Sequence, residues 1–293
     1  MPRFTAYLFA VITLATSAQT FAGSPEPVLV AKPQLAVPPM KRIDISPELA
    51  EKVGQQVWLN ETGGKRDAIT AWNASEDFAS LGIGHFIWFS QGLETRFVES
   101  FPAMLEYLRG RGARPPEWLD VTPVPPSPWK SKRQFQREFH SERMTSLREF
   151  LFDTFGLQAQ FLALRMQEAL PRIEASLADR SAREHVRRQF NRVVAASKDL
   201  YPLIDYINFK GEGISETETF PNRDTREPEG WGLKQVLLAM QGSSSKPADV
   251  LGEFADAARS ALKRRIANNP PDERWQHGWL ARVETYRRPL DPH

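Results

Sequence analysis

The chain has no cysteine among its 293 residues. Without thiols it can form neither a disulfide bond nor a thiolate metal site. Secreted eukaryotic domains often depend on disulfides, so their absence fits a bacterial periplasm better. The five histidines are scattered, with no HxH or HxxH spacing. The sequence therefore gives no reason to expect a zinc site, and neither a metal nor a cofactor is predicted.

An excess of charge of either sign is also missing. The 38 Lys and Arg residues nearly balance the 36 Asp and Glu residues, which leaves a formal net charge of +2. A nucleic-acid-binding protein that works through charge would be more basic, so no nucleic-acid partner is predicted. Beyond the first residues, no uninterrupted apolar stretch is long enough to cross a bilayer, and no stable membrane span is expected once a signal segment is removed.

The N-terminal segment has the three parts of a secretory signal. Arg3 supplies the basic start, residues 4–17 are apolar, and a small-x-Ala cleavage site ends at Ala22. This pattern predicts that residues 1–22 are a signal peptide and that the mature protein is exported, either to the periplasm or out of the cell. Residues 23–45 contain five prolines and no helical period, which predicts an exposed linker.

The folded part is predicted to begin with a helix at Ser46. Ser46 is a favourable N-cap residue, and Pro47 takes the first helical position. Apolar residues then repeat at four-residue spacing at Leu49, Val53 and Val57. Glu61 is the next step of that series, so its carboxyl group would lie at the edge of the buried stripe, where partial desolvation suits a proton donor. Gly63 and Gly64 are expected to end the helix.

Most of the remaining chain has helical periodicity, whereas residues 67–92 mix β-formers with turn residues and predict short strands. Residues 113–131 contain six prolines and predict a surface excursion. The predicted fold is therefore mainly α-helical, with a small β-hairpin region lining a cleft, in one domain over 46–293. The further helices are predicted at 94–110, 131–195, 200–209, 230–241, 247–268 and 273–288.

The region of predicted strands carries two more acidic residues, Glu76 and Asp77. Cleavage of a glycosidic bond requires two carboxyl groups close together. One is held protonated and donates to the leaving oxygen, while the other stays ionised and activates water or stabilises positive charge on the sugar. Glu61 with Glu76 or Asp77 could form such a pair, and the sequence leaves open which of the two hairpin acids takes part.

The stretch from Glu61 to Gly82-Ile83-Gly84-His85, with Ser80 just before it, resembles the start of the phage-type lysozymes, the endolysins of the lysozyme superfamily. In that family a helix ends at the catalytic Glu, and a small hairpin carries an acid, a hydroxyl residue and a GIGH segment. The family usually has Thr where this chain has Ser80, and its interval from Glu to His is shorter. The resemblance implies a lysozyme-like fold, in which residues 95–200 would be a helical insertion.

The resemblance also implies roles for these residues. Glu61 would be the general acid, and Glu76 or Asp77 would stabilise positive charge or position water. Ser80 would orient the attacking water from across the cleft. His85 would support the hairpin next to Glu61 and so contribute to the substrate site.

A second segment resembles the family more weakly, at a helix that ends in an Asn-x-Gly sequence beside the cleft. Asn208 occupies that position here. Lys210, just before Gly211, and Glu212, between Gly211 and Gly213, are predicted to lie in an exposed loop and are candidate substrate-binding residues. Trp231, flanked by two glycines, could stack on a sugar ring.

Together these observations predict an exported glycosidase that cleaves a β-1,4-linked amino-sugar polymer, with peptidoglycan as the first candidate, so the expected partner is a polysaccharide. A lytic transglycosylase is one alternative, because it needs only the Glu. A chitosanase-like enzyme is another. A non-catalytic cell-wall-binding protein on a degenerate lysozyme scaffold is the alternative from a different class.

Overall fold

The computed structural model describes residues 45–73, 76–93, 95 and 97–290. In these residues the chain is mainly helical, with ten α-helices and five short strands, which confirms the predicted class. The signal peptide and almost all of the linker predicted from the sequence lie outside this range. The helices are α1 Pro47–Thr62, α2 Phe101–Gly110, α3 Lys132–Arg137, α4 Glu142–Asp153, α5 Phe155–Ala175, α6 Arg180–Ser197, α7 Tyr201–Lys210, α8 Leu233–Ala239, α9 Pro247–Asn268 and α10 Gln276–Glu284.

Helix α1 follows the sequence prediction closely. The Ser46 hydroxyl accepts a hydrogen bond from the backbone N–H of Leu49 at 3.2 Å, and the helix ends at Gly63, which has a φ of +61°. Glycine adopts this left-handed conformation without steric cost. Val53 and Val57 are fully buried, and this face packs along α5. The stripe thereby directs the last turn of α1, with Glu61, to a fixed place beside the core.

A three-stranded antiparallel sheet follows α1, in the order β1-β2-β3. Its strands are β1 Thr70–Ala71, β2 Ala79–Leu81 and β3 Phe86–Trp88. Leu81 faces Phe86 across the β2–β3 pair, so the GIGH segment at 82–85 is the turn of this hairpin. The strands predicted for 67–92 are therefore present.

The region 95–200 supplies helices that belong to the same core as α1. Helix α5 packs against both α1 and α7, and its buried residues join one hydrophobic cluster with those of α1. The prediction that 113–131 lies on the surface is wrong in part. Trp129 and Leu119 from this segment are fully buried, and Trp129 packs edge-on against Trp88 of β3. Aromatic burial outweighs the tendency of proline-rich segments to stay outside.

The C-terminal part contains a second, two-stranded sheet and the helices α8, α9 and α10. Strands β4 Thr219–Pro221 and β5 Pro228–Gly230 pair antiparallel. Helix α9 has the bounds predicted from the sequence. The single helix predicted for 273–288 is divided into a 3-10 turn, α10 and a second 3-10 turn. Tyr286 of the second 3-10 turn packs against Tyr206 of α7.

Candidate functional site

Glu61 lies in the last turn of α1, and its side chain is 16% exposed. One carboxylate oxygen, Oε1, accepts hydrogen bonds from the Arg282 guanidinium at 2.7 Å and from Asn208 Nδ2 at 3.2 Å. The other, Oε2, lies 3.6 Å from His85 Nδ1. The structure thus brings three residues predicted to contribute to one site, Glu61, His85 and Asn208, into contact. Arg282 was not among the residues predicted from the sequence.

Arg282 belongs to a buried ion pair behind Glu61. Its guanidinium donates two hydrogen bonds to the fully buried Asp205 carboxylate, both at 2.8 Å. Asp205 also accepts from the Tyr286 hydroxyl at 2.5 Å and from Asn60 Nδ2 at 3.1 Å. Burial opposes the charge on Arg282, but the carboxylates of Asp205 and Glu61 outweigh it and raise the Arg282 pKa. Arg282 therefore stays charged and gives Glu61 a fixed partner.

A sequence signal for this pair does exist. Asp205 follows Leu203 and Ile204 inside an apolar helix, and a carboxylate in such a place needs a buried partner. The identity of the partner has no local signal, because Arg282 comes from α10, 77 residues further along the chain.

The GIGH turn approaches α7 closely. A Cβ atom added at Gly84 would lie 3.0 Å from Asn208 Oδ1 and 2.8 Å from Phe86 Cζ. Glycine is therefore required by close approach at this position. His85 completes the turn with a φ of +48°, and its backbone N–H bonds to the Gly82 carbonyl at 3.2 Å. In the part of the chain that the structure describes, His85 Nε2 is buried without a hydrogen-bond partner.

The two hairpin acids differ in their surroundings. The Glu76 carboxylate accepts hydrogen bonds from Asn73 Nδ2 at 2.9 Å and from the Ser80 hydroxyl at 3.4 Å, and Ser80 itself is buried in β2. Asp77 is exposed, and its side chain has no ion pair or hydrogen bond with any described residue. Of the two, Glu76 is the one that the hairpin holds in position, together with the predicted Ser80.

A cleft of about 530 Å³ opens beside Glu61. Among its described lining residues, Glu61 is the one carboxylate. Trp275, which is 51% exposed, and Trp279 provide aromatic surface. The lining residues are Asn60, Glu61, Phe209, Arg274, Trp275, Gly278, Trp279, Ala281, Arg282 and Thr285. The cleft thus combines a carboxylate, arginines and aromatic rings, which can bind a polar ring-shaped ligand and supply a proton to it.

The prediction that Lys210 lies in an exposed loop is wrong. Lys210 is the last residue of α7 and is only 7% exposed. Its ammonium nitrogen lies 3.3 Å from the centre of the Trp279 ring and 3.9 Å from that of Phe209. Burial, reinforced by Arg265 and Arg282, lowers the Lys210 pKa well below its usual value. Lys210 therefore supports the aromatic wall of the cleft from behind.

Glu212 and Trp231 are also engaged within the protein. Glu212 forms an ion pair with Arg172. Its Oε1 accepts hydrogen bonds from Arg172 Nε at 3.1 Å and from Nη2 at 2.5 Å. Trp231 is only 5% exposed, and the Arg265 guanidinium lies 4.0 Å from its ring centre. The interpretation of Trp231 as a sugar-stacking residue is therefore wrong. The exposed indole at the cleft is that of Trp275, which the sequence prediction did not select.

The described residues contain no group of three or more His, Asp or Glu side chains arranged to hold a metal ion. None of their helices is both long and apolar enough to cross a membrane. Comparison of the chain with family models, curated proteins and solved structures finds no match.

Proposed function

We propose that this protein is an exported enzyme that cleaves glycosidic bonds in a β-1,4-linked amino-sugar polymer, with peptidoglycan as the substrate. The observation that carries the proposal is the position of Glu61. It ends a capped, core-packed helix, contacts the GIGH turn through His85 and opens onto a cleft with exposed aromatic surface. Export is proposed from the signal sequence at residues 1–22.

Glu61 is proposed to be the general acid. Its carboxyl group is largely shielded from solvent yet reaches the cleft, so it can deliver a proton to the oxygen of a bound glycoside. Asn208 and Arg282 bond to Oε1, which leaves Oε2 on the side of His85. This fixed orientation is useful because acid catalysis depends on positioning of the donor.

Glu76 is proposed to be the second carboxylate of a hydrolase. Asn73 and Ser80 both bond to its Oε2, so they hold the side chain in one place. An ionised carboxylate can activate a water molecule or stabilise positive charge on the sugar. Ser80 would then act through Glu76 by holding it in place.

A lytic transglycosylase is the second candidate, and one observation favours it. Within the described residues that line the cleft, no carboxylate other than Glu61 is present. A transglycosylase needs only the proton donor, because a hydroxyl group of the sugar itself attacks. The products separate the two reactions, since hydrolysis yields reducing sugars and transglycosylation yields anhydro-sugars.

The deciding experiment is digestion of purified peptidoglycan and of chitosan, with products identified by mass spectrometry. We expect soluble products from peptidoglycan with the wild type and none with Glu61→Gln. Glu106→Gln is the matched control, because Glu106 is exposed on α2 and lies outside the cleft lining. Release of products by Glu61→Gln at the wild-type rate would refute the proposed acid. If the wild type releases nothing but binds glycan, the protein is a binding module.

A further inference from the structure

The cleft beside Glu61 has an outer wall that the proposed acid chemistry does not use. Arg274 and Trp275 both line it. Among the exposed large hydrophobic side chains that the structure describes, Trp275 is the one tryptophan. The Arg274 guanidinium carbon lies 5.1 Å from the centre of the Trp275 ring, within range of a cation–π interaction. An aromatic face and a cation are therefore presented together to the cleft.

Arg274 differs from the other arginines around this cleft because no described carboxylate pairs with it. Arg282 pairs with the buried Asp205 carboxylate and contacts Glu61, and Arg265 pairs with Asp272 at 2.8 Å. Within the part of the chain that the structure describes, the Arg274 guanidinium therefore has no counter-charge in an ion pair. A guanidinium in this state can bind a carboxylate from a ligand without first breaking a pair within the protein.

Lys210, a second basic residue near the cleft without an ion pair to any described residue, does not serve this purpose. Its ammonium group lies behind the wall, between Trp279 and Phe209, and Lys210 is absent from the cleft lining. The solvent-facing positive charge of the outer wall is therefore the charge of Arg274.

We propose that Arg274 and Trp275 form a subsite for a sugar unit that carries a carboxylate. The apolar face of the pyranose ring would pack on the Trp275 indole, and the carboxylate would pair with the Arg274 guanidinium. This inference rests on the proposed function, because the subsite lies in the cleft that would hold the glycan. It narrows the substrate to an amino-sugar polymer with free sugar carboxylates, which in peptidoglycan are those of muramic acid units that carry no peptide. A polymer of deacetylated, cationic glucosamine is disfavoured by the same charge.

The experiment is calorimetric titration of the full mature chain carrying Glu61→Gln, so that binding is measured without turnover. Three tetrasaccharides serve as probes: an alternating N-acetylglucosamine and N-acetylmuramic acid tetramer, the same tetramer with its carboxyls converted to methylamides, and tetraglucosamine. We expect the acidic tetramer to bind about fivefold more tightly than its neutral form, which corresponds to one solvent-exposed ion pair. Tetraglucosamine should bind most weakly, and the acidic preference should shrink at high salt.

Three variants, each added to Glu61→Gln, assign the effect. Arg274→Gln should abolish the acidic preference and leave the affinity for the neutral tetramer within about twofold. Trp275→Ala should weaken binding of all three probes, because stacking does not depend on charge. Arg137→Gln removes an exposed arginine of α3 that is outside the cleft lining, and it should change nothing.

The outcomes separate this inference from the proposed function. Equal affinity for the acidic and neutral tetramers, or an acidic preference that survives Arg274→Gln, overturns the subsite even if the wild type degrades peptidoglycan. A lack of wild-type cleavage together with an acidic preference that depends on Arg274 overturns the proposed enzyme and leaves the subsite. Failure to bind any of the three probes overturns the subsite as well.

Discussion

The Arg282 guanidinium donates a 2.7 Å hydrogen bond to the Glu61 carboxylate, across 221 residues of chain. The same guanidinium is held by the fully buried Asp205. Helix α7 therefore positions Arg282 of α10, and Arg282 positions Glu61 at the end of α1. Three helices that are distant in sequence meet at one carboxylate, and this connects the stability of the C-terminal helices with the geometry of the proposed acid.

Replacing Asp205 by Ala should be strongly destabilising. Removal of one partner leaves Arg282 buried without its main counter-charge, and such a change typically costs about 3–5 kcal/mol in the free energy of unfolding. Asp256→Ala is the matched control, because Asp256 also pairs with an arginine, Arg287, but its side chain is 62% exposed. That pair should contribute about 0–1 kcal/mol. Urea denaturation measures the free energy of unfolding of both variants. Equal losses of stability would contradict the argument that burial makes the Asp205–Arg282 pair more costly to break.

Replacing Gly84 by Ala should damage both the fold and the site. The new methyl group would come within 3.0 Å of Asn208 Oδ1 and 2.8 Å of Phe86 Cζ, and such overpacking costs about 1–3 kcal/mol. The GIGH turn should shift away from α7, so cleavage should fall as well. Gly110→Ala is the control, because a Cβ there meets nothing within 4 Å. Thermal melts and product release measure both variants, and identical behaviour would refute the close-approach argument.

Replacing Lys210 by Met should stabilise the protein at neutral pH. Burial lowers the pKa of Lys210 well below 10.5. The unfolded chain therefore holds the lysine proton more strongly than the folded protein does, and this penalty on folding diminishes as pH rises toward the unfolded pKa. The increase in the free energy of unfolding caused by Lys210→Met should be largest at low pH and should shrink toward about pH 10.5.

Denaturation midpoints across this pH range test the Lys210 prediction. Lys263→Met provides the control, because Lys263 is an exposed lysine of α9. If Lys210→Met stabilises the protein by the same amount at every pH, or destabilises it at every pH, the charge of Lys210 is not the cause of the stability difference.

Amide substitutions at the two hairpin acids should have unequal effects. If the enzyme is a hydrolase, Glu76→Gln should reduce the rate about a hundredfold, because the charge next to Ser80 is lost. Asp77→Asn should be nearly neutral, since Asp77 is exposed and has no partner among the described residues. Initial rates on peptidoglycan decide the matter. If both variants stay largely active and the products are anhydro-sugars, the reaction is transglycosylation. A defect confined to Asp77→Asn would make Asp77, and not Glu76, the second carboxylate.

Several local features could be predicted from the sequence because short-range chemistry determines them. The Ser46 cap and the glycine at position 63 define both ends of α1. The apolar stripe of α1 orients its last turn, and the alternation of strand and turn residues yields the hairpin around GIGH. The mainly helical class follows from periodicity. The polymer, the reaction and the acidic subsite remain proposals.

The tertiary structure alone decided which side chains meet. Lys210 is followed by a glycine and Trp231 lies between two glycines, a pattern that favours an exposed loop. Yet Lys210 is buried against Trp279 of α10, and Trp231 is buried against Arg265 of α9. Nothing in the local sequence distinguishes Arg282 from the other arginines. Its role follows from its contacts with Asp205 and Glu61 in the folded protein. Caps, turns and periodic stripes depend on neighbours a few residues away. Burial and ion pairing depend on which helices pack together, and that is a property of the whole core.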